Sequence, residues 1–249
     1  MSELEIDVRE KRYPAVGEAA AHVALKDVRI TARHGEFICV LGPSGCGKTT
    51  LLNIIAGLDR NFEGRVRPPP LPGRSEAVVG YVFQEPRLLP WYTVARNIEL
   101  VLSPAQVGSG IVDELLVAAG LDGFRNAYPQ RLSLGMSRRV ALVRAFAVQP
   151  DLLLMDEPFV SLDAATAQHL RALLLEILNK QPTTVLFVSH NVREAIFLAD
   201  RIILLSAAPG TVLADIPVRL SREARKSPAQ VEAFRARLTG ENPLLCDGL

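Results

Sequence analysis

A chain of 249 residues, 49% of them apolar, can form one large domain or a core that carries an inserted subdomain. A formal charge of +1 argues against a nucleic-acid partner, which would need a basic footprint. Three cysteines, Cys39, Cys46 and Cys246, form neither a paired nor a metal-ligand pattern, which excludes a disulfide scaffold and suits a reducing compartment.

The first segment, MSELEIDVRE, is charged and has no apolar h-region, so no secretory signal is expected. No apolar run reaches the roughly 20 residues of a membrane span. LEIDVREKRY and ALKDVRITARH alternate in polarity and predict an antiparallel flank. EFICVLG (36–42) then reads as a buried strand, with Cys39 a small core residue within it. Directly after it comes LGPSGCGKTT (41–50), which satisfies G-x-x-x-x-G-K-[ST] and opens a helix predicted over 48–56. Gly42, Pro43, Ser44, Gly45, Cys46, Gly47, Lys48, Thr49 and Thr50 thus form a candidate phosphate cradle. Its glycines let backbone N–H groups face phosphate oxygens, and the helix N-terminus adds positive potential. Lys48 is the candidate partner of the β- and γ-phosphates, and the Thr49 hydroxyl a candidate Mg2+ ligand.

RVRPPPLPGR (65–74) reads as a stiff connector, although it also contains a PxxPxR pattern. VVGYVF (78–83) is the next strand, broken by FQEPRLLPW (83–91), whose prolines cannot continue a ladder. That turn presents polar residues first and an apolar tip second. Residues 85–150 contain no strand run and read as an inserted helical subdomain. The core then resumes, so that 1–84 and 151–249 make one domain. DLLLMDE (151–157) is a continuously apolar strand that delivers Asp156 to its C-terminal edge, where α/β sheets bind ligands. Asp156 is a candidate Mg2+ carboxylate, and Glu157 can polarise an attacking water. A helix over 163–180 opens at Asp163 as N-cap. TTVLFVSH (183–190) carries His190 to the same edge, VREAIFLAD (192–200) is amphipathic, and RIILLS (201–206) is a further strand. Strand–helix alternation of this kind predicts an α/β, P-loop NTPase fold with a parallel, RecA-like sheet. SREARKSPAQVEAFRARL (221–238) reads as a solvated amphipathic helix. A GTPase is disfavoured, because in NKQP (179–182) Pro182 stands where a guanine-reading Asp belongs.

The order of the P-loop, FQEP, RLSLGMSRRVALVRAFAVQP (131–150), LLLMDEP, SLD (161–163) and His190 resembles the ATP-binding subunit of an ABC transporter. FQEPRLLPW and MDEPFVSLDA are more narrowly similar to the nitrate/sulfonate/taurine importers. The resemblance implies that Gln84 lies near Mg2+ and the attacking water. It implies that Ser133 and Gly135 belong to the signature, which caps the γ-phosphate of an opposite subunit. It assigns Asp163 to the dimer interface, His190 to the γ-phosphate, and Tyr13 to stacking on adenine. The implied cofactors are ATP and Mg2+. The implied partners are a second copy, a transmembrane permease and, indirectly, a solute-binding protein, with the chain peripheral at the cytoplasmic face of the inner membrane. The competing readings are an exporter subunit or a chromosome or ribosome ATPase. The latter types add a long coiled coil or a second ATPase unit, and neither is visible in this chain.

Leu134 departs from the family's L-S-G-G signature. At a positive φ it would cost roughly 1–3 kcal/mol, and a five- to 150-fold loss of turnover would follow if the closed state bore that cost, on the order of those energies. On helical backbone the cost is near zero.

Overall fold

Apolar residues at every second position dictate the first two elements, because alternation buries one face of a strand and exposes the other. The computed structural model describes residues 3–15, 17, 20–68, 70 and 73–242. In chain order they form β1 (Leu4–Tyr13), β2 (His22–Ala32), β3 (Phe37–Leu41), α1 (Lys48–Ile55), β4 (Glu63–Arg67) and β5 (Val79–Val82). Four helices follow: α2 (Val94–Glu99), α3 (Pro104–Val107), α4 (Ile111–Ala118) and α5 (Leu134–Ala147). Strand and helix then alternate through β6 (Leu152–Asp156), α6 (Ala164–Lys180), β7 (Thr184–Ser189), α7 (Val192–Leu198) and β8 (Arg201–Leu205). β9 (Val212–Pro217) and α8 (Pro228–Glu241) come last among the described residues.

The chain divides into two compact units, one of Met1–Pro69 with Thr184–Leu249 and one of Pro70–Thr183. In the first, β1 pairs antiparallel with β2 (Leu4 opposite Ala32) and with β4 (Glu5 opposite Arg67). Leu4, Ile6 and Val8 point inward from β1. A second sheet places β3 between β7 and β8, both parallel to it, with β9 antiparallel on β8. β3 and β7 are buried along their whole length, which explains their unbroken apolar sequences. Cys39 is fully buried in β3. α8 buries Val231, Phe234 and Leu238, an i, i+3, i+7 stripe on an otherwise charged helix.

In the second unit, β5 runs parallel to β6. Gly80 permits close packing there, since a Cβ would lie 2.7 Å from the Ala145 carbonyl oxygen. Asp151 fixes the start of β6: its carboxylate accepts from Val78 N (2.6 Å) and from Arg74 Nη1 (3.0 Å). Residues 85–150 hold α2–α5, short 3-10 turns and no strand.

Two strands were not expected from sequence. Residues 65–67 belong to β4, so the first three residues of RVRPPPLPGR are ladder and not connector. Pro69, Leu71 and Pro72 of its PxxPxR pattern lie outside the described residues, as does Cys246. β9 is the other addition, an edge strand whose residues alternate between half-buried and exposed.

Candidate active site

The first unit holds the candidate phosphate cradle. Gly42 follows β3 directly and Lys48 opens α1, so the loop is a strand-to-helix turn. Gly42 has no room for a side chain: a Cβ would approach Cys46 Sγ to 2.7 Å and Leu205 Cβ to 3.1 Å. Gly47, at φ 96°, would place a Cβ 2.7 Å from Leu25 Cδ2. Gly45, at φ 78°, faces open space, as a backbone that must approach a ligand requires. Lys48 is buried beneath the loop, its Nζ donating to Gly42 O (2.6 Å) and Pro43 O (3.1 Å). α1 has no side-chain N-cap, so its first N–H groups remain available to an anion. Ser44, Gly45 and Thr49 are exposed, and Cys46 is buried with its thiol pKa pushed up by that burial. A glycine cradle, a buried ammonium and an uncapped helix start fit a polyphosphate.

Tyr13, at the end of β1, shares a hydrogen bond with Thr50 Oγ1 (3.3 Å), stacks on His22 (ring centroids 5.3 Å apart) and carries Lys11 Nζ 4.5 Å from its ring. His190 is exposed immediately after β7. Leu41 pairs with Ser189 in the parallel ladder, so Gly42 and His190 leave neighbouring strands at the same end. Behind His190, Asn191 caps α7, and Ser189 Oγ donates to Glu194 Oε2 (3.0 Å).

The second unit holds the candidate carboxylates and the candidate signature residues. Asp156 ends β6 and is only 5% exposed. The Tyr81 phenol is pushed up first by burial and then by the Asp156 charge. Glu157 follows at φ 43°, in the left-handed region, and Ser161 at φ 61° closes the same turn. Val160 N donates to Glu157 O (3.2 Å) across it. Ser133 caps α5, its Oγ accepting from Met136 N (3.2 Å), and Leu134 is the first helical residue. Gly135 faces α6, where a Cβ would meet Thr166 Cγ2 at 2.3 Å. Thr166 is in turn held by Asp163, which caps α6 by accepting from Thr166 N (2.9 Å) and Thr166 Oγ1 (2.6 Å). Ser133, Gly135 and Asp163 are therefore assembled on two packed helix starts. The Asp163 carboxyl lies below its usual range, chiefly through the Thr166 hydroxyl bond.

Gln84 is exposed at the head of the turn after β5. That turn is pinned by residues sequence reading did not single out. Arg144 Nη2 donates to Pro86 O (2.9 Å) and Arg144 Nη1 to Arg87 O (3.0 Å). Asn97, fully buried, donates to the carbonyls of Leu89, Tyr92 and Thr93 and accepts from Leu89 N (2.8 Å). Leu88 and Leu89 are half-buried, whereas Trp91 is 65% exposed and does not fill the unit's core. Arg138 was also missed. Its Nη1 donates to Glu157 O (3.3 Å) and to Pro158 O. The available signal was a cation three and four residues before Ala141 and Leu142, on the apolar face of the helix. Arg138 Nε is buried without a partner among the described residues, at a cost of about 1–3 kcal/mol.

A family model described as ABC transporter matches residues 25–160. The chain is 40% identical over 242 residues to the aliphatic sulfonates import ATP-binding protein of Bacillus subtilis strain 168, covering 95% of this chain and 92% of that one. It is 43% identical over 215 residues to a protein of the same description from Pseudomonas syringae pv. tomato, covering 86% and 88%. Among solved structures, a dimeric ATP-binding cassette in a post-hydrolysis state with ADP and phosphate aligns with a TM-score of 0.74 at 32% identity, over 88% of this chain and all of that one.

Proposed function

Because the chain belongs to the ABC transporter family, we propose that it is the ATP-hydrolysing subunit of an importer for aliphatic sulfonates or a similar small anion. The observation that carries the reading is Lys48, held beneath a glycine cradle at an uncapped helix start. Lys48 and the loop N–H groups bind the β- and γ-phosphates, and Tyr13, stacked on His22, offers its ring to the adenine. Thr49 in the first unit, and Gln84 and Asp156 in the second, would offer hard oxygen donors of the kind that suit Mg2+. When bound, Mg2+ neutralises charge on the phosphate oxygens. Glu157 accepts a proton from the attacking water, with Gln84 and His190 orienting the water and the γ-phosphate. Ser133 and Gly135 complete the site of a second copy, and Asp163 lies at that interface. Dimer closure and reopening then drive a transmembrane permease from its cytoplasmic face, with a solute-binding protein delivering the cargo.

No helix among the described residues is long and apolar enough to cross a membrane. Seven of the nine exposed large apolar side chains among the described residues fall between Trp91 and Leu134, favouring that stretch as the permease-facing surface.

Two substitutions separate binding from chemistry. Lys48→Ala abolishes tight ATP binding. Glu157→Gln retains it, slows hydrolysis roughly 100- to 10,000-fold and accumulates an ATP-bound dimer on a sizing column. Parental turnover in Glu157→Gln would remove Glu157 from the role of base. Import of a radiolabelled alkanesulfonate by the reconstituted complex tests the cargo.

A further inference from the structure

Glu157 adopts a backbone conformation that a side chain disfavours, at φ 43°. Pro158 does not supply this conformation: a proline pushes the residue before it toward extended backbone, and it has no N–H with which to close the turn. The direction of the Glu157 side chain therefore depends on whatever holds this peptide. Arg138 grips the two successive carbonyls, Glu157 O and Pro158 O, through one guanidinium nitrogen. It reaches them from α5, five residues after the signature serine, and is only 6% exposed. An arginine so buried, with Nε unpartnered, weakens the fold by itself, which argues that it is retained for what its Nη1 holds.

We propose that Arg138 is a positioning residue for hydrolysis: it fixes the left-handed Glu157 backbone and so aims the carboxylate at the attacking water. The inference rests on the reading of Glu157 as the base. It assigns α5 two roles, its first turn serving the second copy's nucleotide and its second turn serving this chain's own carboxylate.

The experiment compares parent, Arg138→Met, Arg138→Lys, Glu157→Gln and the Arg138→Met/Glu157→Gln double variant, using full-length protein, Mg-ATP turnover and binding of a fluorescent ATP analogue. Arg138→Met lowers kcat by roughly 10- to 100-fold, the penalty for a slightly misplaced group, and leaves KM and analogue affinity within about twofold. Arg138→Lys, which keeps a cation able to reach one carbonyl, recovers part of kcat. In the Glu157→Gln background, Arg138→Met has no further effect, because the group it positions is gone. Parental kcat in Arg138→Met, with Glu157→Gln slow, overturns this inference and leaves the base intact. A loss that multiplies in the double variant, or that appears in KM and affinity instead of kcat, also overturns it by marking Arg138 as merely structural. Parental kcat in Glu157→Gln overturns the base and this inference together. Should Arg138→Met not fold, Arg138→Lys alone and combined with Glu157→Gln carries the same comparison.

Discussion

Leu134 replaces a motif glycine without demanding anything of the backbone. It is the first residue of α5, does not have a positive φ, and is 45% exposed, so neither strain nor burial penalises it. Leu134→Gly should leave ATP affinity unchanged and lower stability by no more than about 1 kcal/mol, the usual helix penalty for glycine. Titration of monomer with an ATP analogue checks the first point, and a tenfold shift would contradict it. The cradle from Gly42 to Thr50 was legible because its chemistry is local: loop, lysine and helix start lie within nine residues. Arg138, Arg144 and Asn97 were not legible, because their partners are carbonyls, which every residue has. Only the fold determines which carbonyls they meet.

Two elements meet tightly where α5 and α6 begin. Gly135 lies against Thr166, a β-branched residue with little rotamer freedom. Gly135→Ala should therefore force the two helix starts apart and cost about 1–3 kcal/mol, the range for overpacking. Urea unfolding measures it, and an unchanged midpoint would show that the contact yields freely. Asp163 adds a pH dependence at the same place. Its folded carboxyl is depressed, so the stability it contributes is present above the unfolded pKa, near 4, and is lost as pH falls through the lower folded value. Asp163→Asn keeps a capping oxygen but cannot titrate, so between about pH 5 and 3 it should lose less stability than the parent. A parallel loss in both proteins would place the acid sensitivity elsewhere. Buried strands were readable to within a residue at their ends, since continuous apolar runs have few alternatives. β4 was missed because EGRVR is almost wholly exposed, and β9 because an edge strand needs only half of an apolar pattern.

At the scale of the whole molecule, the turn from Gln84 to Trp91 has its backbone held by the Arg144 and Asn97 side chains while presenting an exposed indole. A cysteine at Leu88, introduced after the native cysteines are replaced, should crosslink to a permease loop in a nucleotide-dependent manner. Undiminished transport in a Leu88→Asp, Leu89→Asp variant, with no crosslink in any state, would refute that contact. The division of the chain has a consequence for synthesis on the ribosome. β3 emerges early, yet both strands that flank it, β7 and β8, lie beyond residue 183. The second unit is contiguous and is translated in full before either flanking strand appears. β3 and the phosphate loop attached to it therefore leave the ribosome with no sheet to join. The nascent chain must keep an apolar strand from aggregating across more than a hundred residues of further elongation. The candidate cradle begins to be made before the inserted unit, and its supporting sheet is completed only after it.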